Sequence, residues 1–332
     1  MSSKEVNAAV AGSLVKRGVA QCNILVAEMS DGGEGMLDAF LAARHGTRVK
    51  VCVHDPLMRC IYAEYAIVGD EAVVEIAKAV GLAHVEPEQR NPMLTTSWGV
   101  GEMIMDAYRR GVRRFVVGLG GSATSDCGIG MLRALGDDWK RIAAECSFVI
   151  ASDVVNPLYG HNGAAHVFAP QKGATPEMVD ALDERAIRFA EVCSRHFGYD
   201  CSQKPGAGAA GGLGYAFLQF FCAKQCSGAE LLLQKVGFDE LLGSSRLGIT
   251  GDGHSDRQTL MGKLPMHILS HSKKKGVPVW LVSGGVSDVR LLSGAGFEQV
   301  IAVTPNDVAL EEAMRKDMAR YFIRKCMYNC DL

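Results

Sequence analysis

The feature that most constrains the fold is a change of rhythm along the chain. Residues 247–250, 279–282 and 299–303 read as short apolar strands separated by helix-length segments. Strands that alternate with helices belong in a parallel sheet, because each crossover supplies a covering helix. The middle of the chain breaks this rhythm. Val49, Val51 and Val53 alternate, residues 60–68 are rich in β-branched and aromatic side chains, and residues 72–76 make a third short strand after Gly69-Asp70. Strands so closely spaced pair as an antiparallel meander. Alternation then resumes, with a helix through Val100, Met103, Ile104 and Ala107, a strand over 115–117, a helix opening at Gly128 and a strand over 148–151. A meander between two alternating regions predicts one domain inserted into another. The boundaries expected are residues 33–224 for the inserted domain and residues 1–32 with 225–332 for the other. At 332 residues, two cores are a better fit than one.

Local signals fill in this outline. Ser2 and Glu5 make a capping box ahead of Val6, Val10 and Leu14 at helical spacing. A strand is expected over 23–29, ending in Ser30-Asp31-Gly32-Gly33-Glu34-Gly35, with a helix next that buries Leu37, Phe40 and Leu41. Thr175-Pro176-Glu177 is a cap followed by proline at the first helical position.

Charge and cysteine content exclude several classes. With 35 basic and 37 acidic residues the net charge is −2, so no global basic field draws nucleic acid or an anionic membrane. Arg109, Arg110, Arg113 and Arg114, and Lys273 to Lys275, read as solvated helix ends. An odd count of eleven irregularly spaced cysteines argues for reduced thiols and a cytoplasmic setting. The i,i+4 pairs Cys222/Cys226 and Cys326/Cys330 lack two further zinc ligands nearby. No apolar run is long enough for a membrane span.

Chemistry collects where strands end. The loops are Asp31-Gly32-Gly33-Glu34, residues 120–126, Ser152-Asp153, residues 251–256 and Ser283-Gly284-Gly285. In open parallel sheets ligands bind at the carboxyl ends of strands, so these loops are expected to meet at one cleft. Glycine lets amides approach phosphate oxygens, and neighbouring aspartates suit Mg²⁺. Each loop alone is better explained as a turn; five of a kind favour a phosphate site. Lys172 and Lys263 are the cations best placed to help a phosphoryl donor. Other readings are weaker. Gly118-Leu119-Gly120-Gly121-Ser122-Ala123 fits GxGxxA without the expected downstream acid, and residues 206–211 fit GxGxxG in a loop after Pro205. Walker A and G-x-S-x-G patterns are absent.

The motifs together resemble the type 1 glycerate kinase family over nearly the whole chain. They are Asp31-Gly32-Gly33-Glu34-Gly35, Arg90-Asn91-Pro92 with Leu94-Thr95-Thr96, residues 118–124, Ser152-Asp153-Val154 with Asn156-Pro157-Leu158, Pro170-Gln171-Lys172-Gly173-Ala174, residues 205–214 and residues 249–265. The resemblance implies ATP-dependent, Mg²⁺-assisted phosphorylation of D-glycerate, commonly at the 2-hydroxyl. It also implies an α/β fold with a flavodoxin-like parallel-sheet domain formed by both chain ends, plus an inserted mixed α/β domain resembling restriction endonucleases. Family members usually begin with a strand ending in Asp-Ser-Phe-Lys-Gly, just before this chain starts, and carry some tens of additional residues between the positions of Gly136 and Asp137. Where they read Gly-Glu-Gly-Arg, this chain has Gly251-Asp252-Gly253-His254.

The roles that follow are expectations. Gly120, Gly121, Ser122 and Asp126, with Gly206, Gly208, Gly211, Gly212 and Lys263, would bind the nucleotide. Asp31, Glu34, Asn156, Gln258 and Thr259 would contact D-glycerate. Asp252 and Asp256 would hold the metal, and Asp153, Asp256 and Lys172 would act in catalysis, with the roles of the loop aspartates interchangeable. The alternatives are a divergent relative that binds ligand with little or no turnover, and a nicotinamide-linked oxidoreductase. The small molecule is the expected partner, with neither nucleic acid nor membrane, and a homodimer is entertained as the assembly.

Overall fold

The computed structural model describes residues 1–29, 33, 35–305 and 307–330. The chain divides into two compact units, Asp31–Leu231 and Met1–Ser30 with Leu232–Leu332.

The continuous unit is built on a six-stranded sheet in the order β1 to β6: Thr47–His54, Cys60–Val68, Glu71–Glu75, Arg114–Gly118, Ser147–Ala151 and Lys224–Cys226. The expected meander is present, since β1 to β3 pair antiparallel. It does not stand apart. β3 continues into parallel pairing with β4, then β5 and β6, so one sheet carries both rhythms. The sheet is covered on both faces at β3, where every residue is buried, and Phe115 of β4 stacks on Phe148 of β5 with ring centroids 4.8 Å apart. Helix Trp98–Arg109 buries Val100, Met103, Ile104 and Ala107 on one face. Helix Pro176–Phe197 begins as its sequence predicts, with Thr175 Oγ1 accepting from the Met178 amide.

The discontinuous unit carries β7, β9 and β11 (Gly248–Thr250, Val279–Ser283 and Gln299–Ala302) as a three-stranded parallel sheet, and the short parallel pair β8 and β10 (His254–Ser255 and Gly285–Val286). Helix Ser3–Lys16 has the predicted capping box at Ser2 and Glu5. It packs Ala9 with Trp280, Val282, Ile323 and Met327. On the other side Leu281, Ile268, Leu269, Leu292 and Phe297 form a second cluster.

The strand expected over 23–29 is a correction. A 3-10 turn occupies Gln21–Asn23, and residues 24–29 join no sheet. Alternating β-branched residues favour extended backbone, but a strand also needs a free neighbour to pair with, and here Leu25 and Val26 stay half exposed. The segment is held instead by Asn7 Nδ2 donating to the Ala27 carbonyl at 3.0 Å and by Met29 against the second cluster. Cys222 and Cys226, though spaced i,i+4, do not share a helix, since Cys226 ends β6.

Candidate active site

In the continuous unit β3, β4, β5 and β6 run parallel, so their carboxyl ends share one edge of the sheet. The loop after β4 is the centre of this edge. Gly121 takes a positive φ of 73°, and the Gly121 carbonyl accepts from the Leu82 amide at 2.8 Å while the Ala123 amide donates to Val80. The loop is thereby laid against residues 80–82. Gly120 meets the backbone of Gly33, where an added Cβ would stand 2.5 Å from the Gly33 Cα. Asp31 and Glu34 lie outside the described residues.

Lys172 reaches this loop from another motif. The 3-10 turn Pro170–Lys172 ends at Gly173, whose φ is 92° and where an added Cβ would lie 2.3 Å from the Arg90 carbonyl oxygen, leaving no room for a side chain. The turn points Lys172 inward. Its Nζ donates to Ser122 Oγ at 3.0 Å and to the Thr124 carbonyl at 2.6 Å, and the residue is 3% exposed. Burial pushes the ammonium down from 10.5 to about 7, with Asp126 opposing the shift. In the residue whose carbonyl accepts from Lys172 and in the next one, Thr124 Oγ1 and Ser125 Oγ are buried without a protein partner. A buried cation and unspent hydroxyls at a glycine turn can bind an anion's oxygens.

Several expected ligands also have framework roles. Asp126 accepts from the Ser97 amide and hydroxyl at 2.8 and 2.9 Å, from Gly130 at 3.0 Å and from Gly128 at 3.1 Å. Its carboxylate anchors the start of helix Ile129–Leu135. Gly206, Gly208, Gly211 and Gly212 are buried, and a Cβ at Gly211 would lie 2.0 Å from the Thr124 carbonyl. These glycines bring residues 206–214 against the loop after β4. Gly208 spends its amide on the Asn156 carbonyl, while Asn156 Nδ2 donates to Asn162. Asp153 follows β5 on the surface at the same edge.

One residue was not anticipated. Glu75, the last residue of β3, is 1% exposed and accepts from the amides of Gly35 and Leu37, each at 3.2 Å. Desolvation holds its carboxyl above the ordinary range, against the pull of Lys78. It ties the start of helix Met36–Ala43, and so the end of the Asp31 to Gly35 motif, to the sheet edge. A glutamate at the end of a five-residue strand carries no local signal for this.

In the discontinuous unit the loops after β7 and β9 meet. Gly251 approaches the Val282 carbonyl, and the Gly284 amide donates to the Asp252 carbonyl at 3.1 Å. Asp252 Oδ2 lies 3.2 Å from Lys263 Nζ. His254 Nε2 is 2.6 Å from Ser287 Oγ. Asp256 caps the 3-10 turn Arg257–Met261, accepting from the Gln258 amide at 2.8 Å while its own amide donates to the buried Thr259 hydroxyl. Gln258 is exposed. Among the described residues no group of three or more His, Cys, Asp or Glu stands together as a metal cage.

The loops therefore gather within each unit. Comparison with known proteins gives this arrangement its context. The profile of the glycerate kinase family matches residues 1–141 and 137–329. The two matches overlap over residues 137–141, at the start of helix Asp138–Glu145. A glycerate kinase of Halalkalibacterium halodurans is 36% identical over 330 residues, covering 91% of this chain and 87% of the relative. The glycerate 2-kinase of Escherichia coli is 36% identical, covering 86% and 83%. A crystal structure described as a putative glycerate kinase 2 from Salmonella typhimurium superposes with a TM-score of 0.82 at 35% identity, over 99% of this chain and 93% of that one.

Proposed function

This chain belongs to the glycerate kinase family, and from that premise we propose that it transfers the γ-phosphoryl group of ATP to the 2-hydroxyl of D-glycerate. The observation that carries the reading is Lys172, a buried cation hydrogen-bonded into the glycine loop after β4. An interior ammonium is costly unless it meets negative charge, and phosphoryl transfer supplies that charge at the moment it develops. In this reading the amides of Gly120, Gly121 and Ser122 and the hydroxyls of Thr124 and Ser125 receive phosphate oxygens, and Lys172 neutralises them. Asp153 orients the attacking hydroxyl and takes its proton.

Asp252 or Asp256 would hold Mg²⁺, which would draw charge from the phosphate oxygens. Lys263, within an ion-pair distance of Asp252, would neutralise phosphate charge at this loop. Gln258 is the exposed contact for glycerate from this loop. We read the discontinuous unit as the flavodoxin-like domain and the continuous unit as the inserted one. No helix among the described residues is long and apolar enough to cross a membrane, and the cysteines are free thiols, as suits a cytoplasmic enzyme. The test is ADP release from ATP and Mg²⁺ with D-glycerate, with the product identified by phosphorus NMR. Formation of 2-phosphoglycerate supports the reading. Thermal stabilisation by ATP or glycerate without ADP release would instead mark a ligand-binding relative.

A further inference from the structure

We propose that Cys60 is a nucleophilic thiol that forms mixed disulfides with low-molecular-weight disulfides, with His54 as its base and Glu102 orienting the imidazole. Cys60 opens β2 and pairs across the hairpin with His54, the last residue of β1. That register puts Cys60 Sγ 3.7 Å from His54 Nε2. The other ring nitrogen, Nδ1, stands 2.8 Å from Glu102 Oε1. Glu102 also accepts from the His54 amide at 2.7 Å and from Trp98 Nε1 at 3.1 Å. A carboxylate that receives donors offers none, so Nδ1 carries the ring hydrogen and Nε2 is left to accept the thiol proton. Nucleophile, base and orienting acid thus stand in series, the arrangement that activates a cysteine.

Packing fixes this geometry. A Cβ at Gly99 would lie 2.1 Å from the His54 carbonyl, so glycine lets helix Trp98–Arg109 come close enough for Glu102 to reach the ring. Cys60 is exposed at the mouth of a hairpin, a setting suited to a small diffusible disulfide. In the reaction the Cys60 proton passes to His54 Nε2 and the sulfur attacks one sulfur of the reagent. The reagent's S–S bond breaks as the new one forms, and the departing thiolate takes the proton from His54. An added thiol reverses the exchange.

Cys52, two residues before His54 on β1, is also exposed and is a built-in reference. The experiment is incubation of the full chain with oxidised glutathione at neutral pH, with each cysteine followed by peptide mass spectrometry. Cys60 is expected to be modified about tenfold or more faster than Cys52. His54→Asn should bring Cys60 down to the Cys52 rate, and Glu102→Gln should slow Cys60 without moving Cys52. Equal rates at Cys60 and Cys52 in the unaltered protein overturn the proposal without recourse to any variant. An unchanged Cys60 rate in folded His54→Asn overturns the role of the imidazole.

Discussion

Lys172 Nζ donates to the Thr124 carbonyl across 2.6 Å, joining a turn at residues 170–172 to the loop that follows β4. The bond places a positive charge in the interior, and its protonation is linked to stability. Burial lowers the ammonium to about 7 from an ordinary 10.5, so between these values the unfolded chain binds a proton that the folded chain does not. Stability then rises with pH across this window, and the cost of burying the charge is fully present below it. The expected slope from this group is at most about 1.4 kcal/mol per pH unit. Urea midpoints measured from pH 7 to 10 should climb in the unaltered protein and climb less in Lys172→Met.

The same substitution separates stability from activity. Lys172→Met relieves a buried charge, so the protein should stay folded at neutral pH, while ADP release with D-glycerate should fall by about 100-fold or more if the cation meets the transferring phosphate. A variant that retains most of its turnover would reduce Lys172 to a structural strut.

Two glycine substitutions should move stability in opposite directions. Gly12 lies inside helix Ser3–Lys16 with open space around its Cβ position, so Gly12→Ala should stabilise by about 0.5–1 kcal/mol. Gly211 has a φ of +65° and would direct a Cβ to within 2.0 Å of the Thr124 carbonyl. Gly211→Ala should cost about 2 kcal/mol or more, because backbone must shift and a left-handed conformation is strained. Thermal melting of the pair reads both signs.

Glu75 is expected to be a structural clamp. Glu75→Ala leaves the Gly35 and Leu37 amides without their acceptor, at a cost of about 2 kcal/mol. Because its carboxyl is held above the ordinary value of 4.5, the folded chain keeps a proton that the unfolded chain has released as pH rises above that value. Stability from this group is thus present below pH 4.5 and declines as pH passes through the raised folded value. Denaturation series from pH 4 to 7 should show that decline removed in Glu75→Ala.

What the sequence made legible follows the range of each interaction. The capping box at Ser2 and Glu5, the meander and the strands of the parallel sheet depend on neighbours within a few residues, and the structure contains them. The expected strand over 23–29 required a distant edge, which no local pattern encodes. The glycine motifs were visible as motifs, but their division of labour was not. Gly120 and Gly121 are at least partly solvent-accessible, whereas Gly206 and Gly211 are filled by backbone and side chains that are remote in sequence. The framework role of Asp126 was not legible, because its partners Ser97 and Gly130 lie at the starts of two helices. Glu75 escaped notice for the same reason, since its two donors lie 38 and 40 residues upstream.

Asp256 offers the cleanest separation of scaffold from chemistry. Its Oδ1 accepts from the Gln258 amide at 2.8 Å, and this capping role needs a side-chain oxygen but no charge. Asparagine caps about as well as aspartate, so Asp256→Asn should leave the melting temperature nearly unchanged, while Asp256→Ala should lose about 1 kcal/mol. A metal ligand, by contrast, depends on the charge that asparagine lacks. If Asp256 holds Mg²⁺ on the nucleotide, Asp256→Asn lowers ADP release at limiting Mg²⁺ and part of the loss is recovered as Mg²⁺ is raised. A variant with unchanged turnover at every Mg²⁺ concentration assigns Asp256 to the cap alone and moves the metal to Asp252.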